Sequence, residues 1–429
     1  MMNEMQNRAF CAIQLGKNVM ITGAAGTGKT FIIQAFHEWA KTIDSLHVAV
    51  TSTTGVSALL IGGTTIHSWA GVGLGEDSAM TLAKKIKNIK RYNERWMTTS
   101  ALIIDEVSML PPDLFDKLDQ IGRIVRNVNR PFGGIQLIVM GDFCQLNPVK
   151  SDSYCFEAKC WKQAIDRVYH LTEIIRQKDK TFQQTLNNIR MGIVTAADKA
   201  LLNTRVNQKV DDLRIKPTKL FSLKKDVERT NKIALETLKS AGNLSRIYKA
   251  RISLENKHSS GSLTDSQQTR FINAIQGQCQ AVNALELAVG SQVMLICNLD
   301  LTRGFANGTR GVVTDLTDNG PMVYFRNGCE ELIEPWKWVI HFADEHVDVA
   351  KHQIPLILAD ACTIHKSQGS TIDYLEVNLG SSIWECGQTY TALSRVRTLD
   401  GLFITSIDYS KILVHPKVHE FYRTLNSVQ

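Results

Sequence analysis

Short continuous apolar runs alternate with helix-period stretches through the first third of the chain. Val19 to Thr22, His47 to Thr51, Ala101 to Ile104 and Ile135 to Met140 are brief and rich in β-branched residues. Strands covered on both faces of a parallel sheet read this way. Between them the period lengthens. Asn3 to Gly16 carries Ala9, Phe10, Ala12, Ile13 and Leu15, Phe31 to Phe36 and Val56 to Leu60 are helix-like, and Pro112 to Asn127 repeats Leu114, Leu118, Ile121 and Val125 on one face. Pro131-Phe132-Gly133-Gly134 breaks that helix. The order strand, helix, strand through Leu146 predicts an α/β, doubly wound parallel sheet.

The later pattern is less regular. Leu171 to Gln177 leads into the amphipathic stretch Phe182 to Met191, and Leu220 to Lys224 predicts a strand. From about 239 to 351, short β-rich pieces (Gln292 to Cys297, Gly311 to Thr314, Met322 to Phe325) alternate with turns at Asn307-Gly308 and Asn327-Gly328. This predicts a small β-rich insertion. Ile354 to Leu358 follows, then a buried strand at Tyr374 to Leu379, a helix at Gln388 to Val396 and a last strand at Leu402 to Thr405.

Composition narrows the class. The 429 residues, 44% hydrophobic, exceed one ordinary core and predict two or more globular domains. Lys and Arg (49) outnumber Asp and Glu (42) by 7, an excess that suits a polyanionic partner without demanding one. The nine cysteines are scattered with no C-x-x-C pair, which favours reduced thiols over a disulfide framework or a zinc site. No apolar run approaches the roughly 18 residues of a membrane span, and the first residues form neither a basic leader nor an apolar segment. An intracellular, soluble protein with no membrane partner and no targeting signal is expected, in cytoplasm or nucleoid, or in a host cell if viral.

The chemistry concentrates at strand ends. Gly23-Ala24-Ala25-Gly26-Thr27-Gly28-Lys29-Thr30 fits G-x-x-x-x-G-K-[ST] between a strand and a helix. Its glycines let backbone N–H groups turn onto a polyphosphate, Lys29 reaches the outer phosphates, and the Thr30 hydroxyl can ligate Mg²⁺. A nucleoside triphosphate is the expected ligand. Asp105 and Glu106 close another apolar strand, Asp105 suited to holding Mg²⁺ through water and Glu106 to deprotonating the attacking water. Gln145, at the tip of a third strand, is placed to sense a terminal phosphate. Thr53, Thr54 and Gly55 open a helix at a strand end, where they either hold a nucleic-acid phosphate or cap the helix. The stretch Ile61 to Gly71, with Thr65, His67 and Trp69, is either a loop that stacks on bases or a turn around a buried Trp. Lys84, Lys85, Lys87, Lys90, Arg91 and Arg95 form a basic run that is either a solvated helix face or a nucleic-acid contact.

Together these stretches resemble superfamily-one helicases, and most closely the PIF helicase family of 5′-to-3′ DNA-unwinding enzymes. The resemblance runs from about Met2 to Leu402. Gly23 to Thr30 is similar to motif I, Ser52 to Ala58 with Gly62 to Gly71 to motif Ia and its extension, and Ile104-Asp105-Glu106-Val107-Ser108-Met109-Leu110 to motif II. Leu114 to Arg123 and Pro131 to Leu137 resemble the signature that separates this family from its relatives. Gly141 to Leu146 resembles motif III, Arg176-Gln177 motif IV, His365-Lys366-Ser367-Gln368-Gly369 motif V and Gln388 to Arg395 motif VI. Asn147-Pro148 stands where the family usually has two prolines.

The resemblance implies two RecA-like parallel-sheet domains of the P-loop NTPase kind facing each other across one ATP site. The first would take 1–63 and 98–172, a wedge insertion 64–97, the second domain 173–238 and 352–429, and a β-rich, Src-homology-three-like insertion 239–351. It implies Lys29, Glu106, Gln145, Arg176 and Arg395 as catalytic residues, Thr30 and Asp105 as Mg²⁺ ligands, and Gln6 as an adenine contact, with Gln368 and Gly369 joining Gly23 to Thr30 at the nucleotide. Thr53, Thr54, Gly55, Thr65, His67, Trp69, His365 and Lys366 would contact DNA. The expected partners are single-stranded DNA and a duplex or fork, bound by a monomer. The expected activity is ATP-driven unwinding in replication, repair or recombination, with G-quadruplex and RNA–DNA hybrid substrates open. The rival is a regulatory ATPase that clamps DNA without unwinding it.

Overall fold

The computed structural model describes residues 2–148, 153–208, 214–256, 263–279, 281–300, 302–305, 308–342 and 347–426. The expected turn at Asn307-Gly308 begins outside them. The chain forms two compact units, Met1–Asn207 with Ile364–Asp373 and Asn378–Gln429, and Gln208–Thr363 with Tyr374–Val377.

The first unit is built on a parallel sheet. Its strands are β1 (Val19–Gly23), β2 (Val48–Ser52), β3 (Thr64–Thr65), β4 (Ala101–Asp105), β5 (Gln136–Gly141) and β6 (Arg167–Leu171), in the order β3-β2-β4-β5-β1-β6. Register sets Ser52 opposite Asp105 and Thr22 opposite Gly141, so the ends of the central strands open on one edge. Val19, Ile21, Ile103, Ile138 and Met140 pack against Ile32, Ile33 and Phe36 of the helix Lys29–Ala40. Each such burial contributes about 1.5–3 kcal/mol, which anchors the loop between β1 and that helix.

The periodicity of Pro112 to Asn127 is realised as the helix Pro112–Arg126. The glycines after it are required by a close approach. Gly133 has φ 64, and a Cβ there would lie 2.3 Å from the Gly122 carbonyl oxygen. The Phe132 N–H donates to Asp119 and Arg126 donates to the Gly133 carbonyl, so the helix and the Pro-Phe-Gly-Gly turn lock together.

The basic run is the outer surface of two helices, Ala79–Asn88 and Lys90–Thr98, interrupted at Ile89. Leu82, Ala83, Ile86 and Trp96 face inward, and Lys84, Lys85, Lys87 and Lys90 are exposed. β6 has no counterpart in the sequence expectation, because Arg-Val-Tyr-His-Leu at a sheet edge buries only alternate positions.

The second unit holds a parallel arrangement in which Thr218–Phe221 lies between Ala361–Thr363 and the start of Leu375–Leu379. Around it are antiparallel sheets. Glu330–Leu332, Pro321–Phe325, Arg310–Leu316, Gln292–Leu295 and Leu356–Leu358 form one, and Trp336–Phe342, Val347–Gln353 and Arg251–Asn256 another. The β-rich expectation is met there, with Gly328 at φ 85 turning the Asn327-Gly328 hairpin. The helices Lys224–Ser240 and Asp265–Gln278 were not legible in that part of the sequence. Phe271 and Ile275 of the latter pack on Val347 and Val349. No described helix is long and apolar enough to cross a membrane.

Candidate active site

The loop after β1 is shaped by what lies against it. Gly26 and Gly28 have φ 82 and 84, and a Cβ on them would meet Arg176 Cβ at 2.4 Å and Gln6 Nε2 at 2.6 Å. Only glycine fits at either position. Thr27 Oγ1 donates to the Ala24 carbonyl at 2.9 Å, and the Lys29 ammonium donates to the carbonyls of Gly23 (2.8 Å) and Ala24 (3.1 Å). Burial pushes that ammonium below the ordinary lysine range, while Asp142, Glu106 and Asp105 oppose the shift. Gln6 Nε2 donates to the Thr27 carbonyl (3.0 Å), and its Oε1 accepts from the Asn3 N–H in a capping box that starts the helix Glu4–Gln14. The expected adenine contact therefore sits beside the loop with its amide engaged at both ends.

Asp105 and Glu106 are both buried, at 7% and 8% exposure. Glu106 adopts φ 53, ψ 41, a strained conformation for a non-glycine residue at the end of β4. Burial and then the neighbouring Glu106 charge push the Asp105 carboxyl well above the usual carboxylate range, against the pull of Lys29. Glu106 accepts a 2.9 Å hydrogen bond from Gln368 Nε2, and Gln368 Oε1 has no partner among the described residues. A divalent cation fits this donor set, since it would relieve the crowded carboxylates next to the exposed Thr30. No group of three metal-ligating side chains exists among the described residues, so such an ion would complete its shell with phosphate and water.

Two arginines face this acidic edge from elsewhere in the chain. Arg395, 1% exposed, donates to the Thr391 carbonyl (3.0 Å), to Ser394 Oγ (2.8 Å) and to Gln145 Oε1 (3.3 Å). Arg176 donates to the Ser394 carbonyl at 3.0 Å. Burial lowers both guanidinium groups, and each arginine lacks an ion-pair partner among the described residues. They line one cleft of about 780 Å³ with Gln6, Lys29, Thr30, Asp105, Glu106, Gln145 and Gly369. Loop residues Ala25, Gly26 and Gly28 border the same space, whereas Gly23, Ala24 and Thr27 stand behind it and hold its shape.

The structure adds residues the sequence reading did not single out. The Tyr390 hydroxyl accepts from the Ala25 N–H at 2.9 Å, tying the helix Gln388–Leu393 to the phosphate loop. That tyrosine lay inside a quoted motif, so its signal was present. Phe31 and Ile175, both partly exposed, flank the cleft near Gln6.

The candidate DNA contacts divide. Thr54 caps the helix Gly55–Leu60 by accepting from Ser57, and Thr65 caps Ile66–Ala70 by accepting from Ser68. Thr53 Oγ1 donates to the Glu106 carbonyl at 3.0 Å, which links that strand end to the acidic pair. Trp69 corrects an expectation. It is 5% exposed with its ring 4.7 Å from that of Trp96, because the indole completes the apolar contact beneath the two basic helices, and it is not available to stack on a base. His67 and His365 are half-buried, with burial lowering both imidazoles, and Lys366 is exposed.

A parallel sheet with a Walker-type loop, a strand-end acid pair and two incoming arginines defines a P-loop NTPase of the RecA-like kind. Residues 1–200 match the family model of the PIF1-like helicase, and 270–316 match that of the DNA helicase Pif1, 2B domain. The Pif1 helicase of Candida albicans is similar in structure, with a TM-score of 0.81 and 35% identity over 99% of both chains. A structure of the Bacteroides Pif1 helicase in complex with ADP-AlF3 and ssDNA gives 0.68 and 29%, over 100% of this chain and 98% of that one. The chain belongs to the PIF1-like helicase family. It is 39% identical to the ATP-dependent DNA helicase PIF1 of Xenopus laevis over 98% of its own length, and spans 64% of the length of that relative.

Proposed function

We propose that this protein is an ATP-dependent DNA helicase that moves 5′-to-3′ on single-stranded DNA and unwinds duplex or forked DNA. The observation that carries the reading is the convergence of Lys29, Arg176 and Arg395 with the Asp105–Glu106 pair on one cleft. Lys29 binds the outer phosphates, Glu106 orients the attacking water and takes its proton, and Gln145 senses the γ-phosphate. Arg395 and Arg176 stabilise charge developing on the transferred phosphoryl group. Thr30 and Asp105 would hold Mg²⁺, which would neutralise phosphate charge.

DNA is read through its backbone by Thr53, Thr54, Gly55, Thr65 and Lys366, with His67 and His365 offered to bases, so binding has little sequence preference and strong salt dependence. Residues 64–97 form the wedge and 239–351 the β-rich insertion of the two RecA-like domains. The protein acts as a monomer in replication, repair or recombination, and G-quadruplex and RNA–DNA hybrids fall within its substrate range.

Strand displacement on a 5′-tailed, a 3′-tailed and a blunt duplex tests this. Unwinding is expected on the 5′ tail alone, only with ATP. Lys29→Ala should abolish it and ATP turnover while the protein stays folded, because the change removes a phosphate contact and little core volume. Hydrolysis without displacement on any substrate would favour the clamp. Unchanged turnover in Lys29→Ala would remove the central assignment.

A further inference from the structure

The last helix, Pro416–Asn426, lies beyond the motifs that carry the chemistry, yet it sends one side chain under the active site. Tyr422 is 1% exposed. Its hydroxyl lies 2.7 Å from Thr22 Oγ1, donates to Asp142 Oδ1 at 3.0 Å and accepts from the Phe143 N–H at 3.2 Å. With the phenol proton given to Asp142, the Thr22 hydroxyl must donate to Tyr422, and the phenol is then fully satisfied. Asp142, 0% exposed, also accepts from Arg190 Nε and Nη2 at 2.9 Å each, and the Arg190 guanidinium lies 4.5 Å from the centre of the Tyr422 ring.

These partners sit one step from the reacting groups. Thr22 precedes Gly23, whose carbonyl holds Lys29. The Asp142 carbonyl accepts from the Gln145 N–H at 3.0 Å, and Gln145 in turn meets Arg395. One phenol thus adds a side-chain tie between the end of β1 and the turn after β5, beyond the backbone pairing that sets Thr22 opposite Gly141. A buried aromatic kept only for packing has no need of a hydroxyl with three polar partners, since each must be desolvated to reach it.

We propose that Tyr422 is a positioning residue for ATP hydrolysis: its hydroxyl fixes the Gln145 turn relative to the phosphate loop. This rests on the hydrolytic reading given above. Phosphoryl transfer depends on placement at the ångström scale, so a slack Gln145 turn lowers turnover while the loop still binds nucleotide.

Tyr422→Phe keeps the ring and its stacking on Arg190 and removes the hydroxyl. DNA-stimulated kcat is expected to fall about tenfold, with KM for ATP within about twofold. In a Gln145→Ala background the same substitution should have no further effect on kcat. Thr22→Val, which cuts a single bond of the three, should give a smaller loss with the same split, and it serves where Tyr422→Phe does not fold. An unchanged kcat beside a lowered melting temperature would overturn the proposal, leaving Tyr422 as structure only. An equal loss of kcat in both backgrounds would overturn it too, because the effect would not run through Gln145. A wild-type protein that hydrolyses no ATP removes the functional reading itself and Tyr422's role with it, whereas an active wild type with an equally active Tyr422→Phe and Thr22→Val removes the positioning role alone.

Discussion

Arg395 is where stability and activity are expected to part. Its guanidinium is 1% exposed and bonded to the Thr391 carbonyl, Ser394 Oγ and Gln145 Oε1, all neutral acceptors. Hydrogen bonds from a charged donor contribute about 1.5–3 kcal/mol each, but desolvating a cation without a carboxylate partner costs several kcal/mol. The two nearly cancel. Arg395→Met keeps the length of the side chain and removes both the bonds and the desolvation cost, so unfolding stability should change by no more than about 2 kcal/mol, or roughly 4–8 °C in melting temperature. Catalysis has no such compensation. Loss of a cation facing the γ-phosphate should lower DNA-stimulated hydrolysis by about 10³-fold or more, equivalent to about 4 kcal/mol of barrier. Phosphate release at saturating ATP, equilibrium binding of a non-hydrolysable nucleotide and a melting curve read the three quantities. An Arg395→Met protein that melts far below wild type while its folded fraction still hydrolyses ATP would refute this separation, and so would a nucleotide affinity that falls as steeply as turnover.

Glu106→Gln should still bind nucleotide and single-stranded DNA but turn over about 10²–10⁴-fold more slowly, since only proton acceptance is lost; absent nucleotide binding would reverse the roles of Asp105 and Glu106. Trp69→Ala should cost about 3–5 kcal/mol of stability, read by melting, because it empties the contact with Trp96. His67→Ala should instead weaken single-stranded DNA binding by about 1–3 kcal/mol at unchanged melting temperature, and the opposite pairing of effects would show the indole to be the stacking ring.

The phosphate loop and the acidic strand end were readable because each is a local device. A strand, a turn and a helix start lie within a few residues, and the glycines of Gly23 to Thr30 answer to backbone geometry that the sequence carries on its face. The central strands β1, β2, β4 and β5 were legible for a similar reason, being apolar on both faces. The edge strand β6 and the helix Asp265–Gln278 were not, since half-buried elements leave a broken pattern. The basic run from Lys84 to Arg95 showed its charge in sequence, but only the packing of Leu82, Ile86 and Trp96 made it the outside of two helices.

What the sequence by itself determined, then, is which groups stand at the strand ends: the Gly23 to Thr30 loop with its Lys29, and the Asp105–Glu106 pair. Tertiary structure alone decided how far each is committed. Trp69 went to the core because its ring met that of Trp96 from another helix. Gln368 reached Glu106 and Arg395 reached Gln145 across more than two hundred residues of chain. Tyr422 met Thr22 from 400 residues away, a partnership no local spacing encodes. Propensity and turn chemistry act over a few residues, whereas burial pairs whatever polar groups the closed fold brings within about 3 Å, because an unpaired one is too costly to leave there.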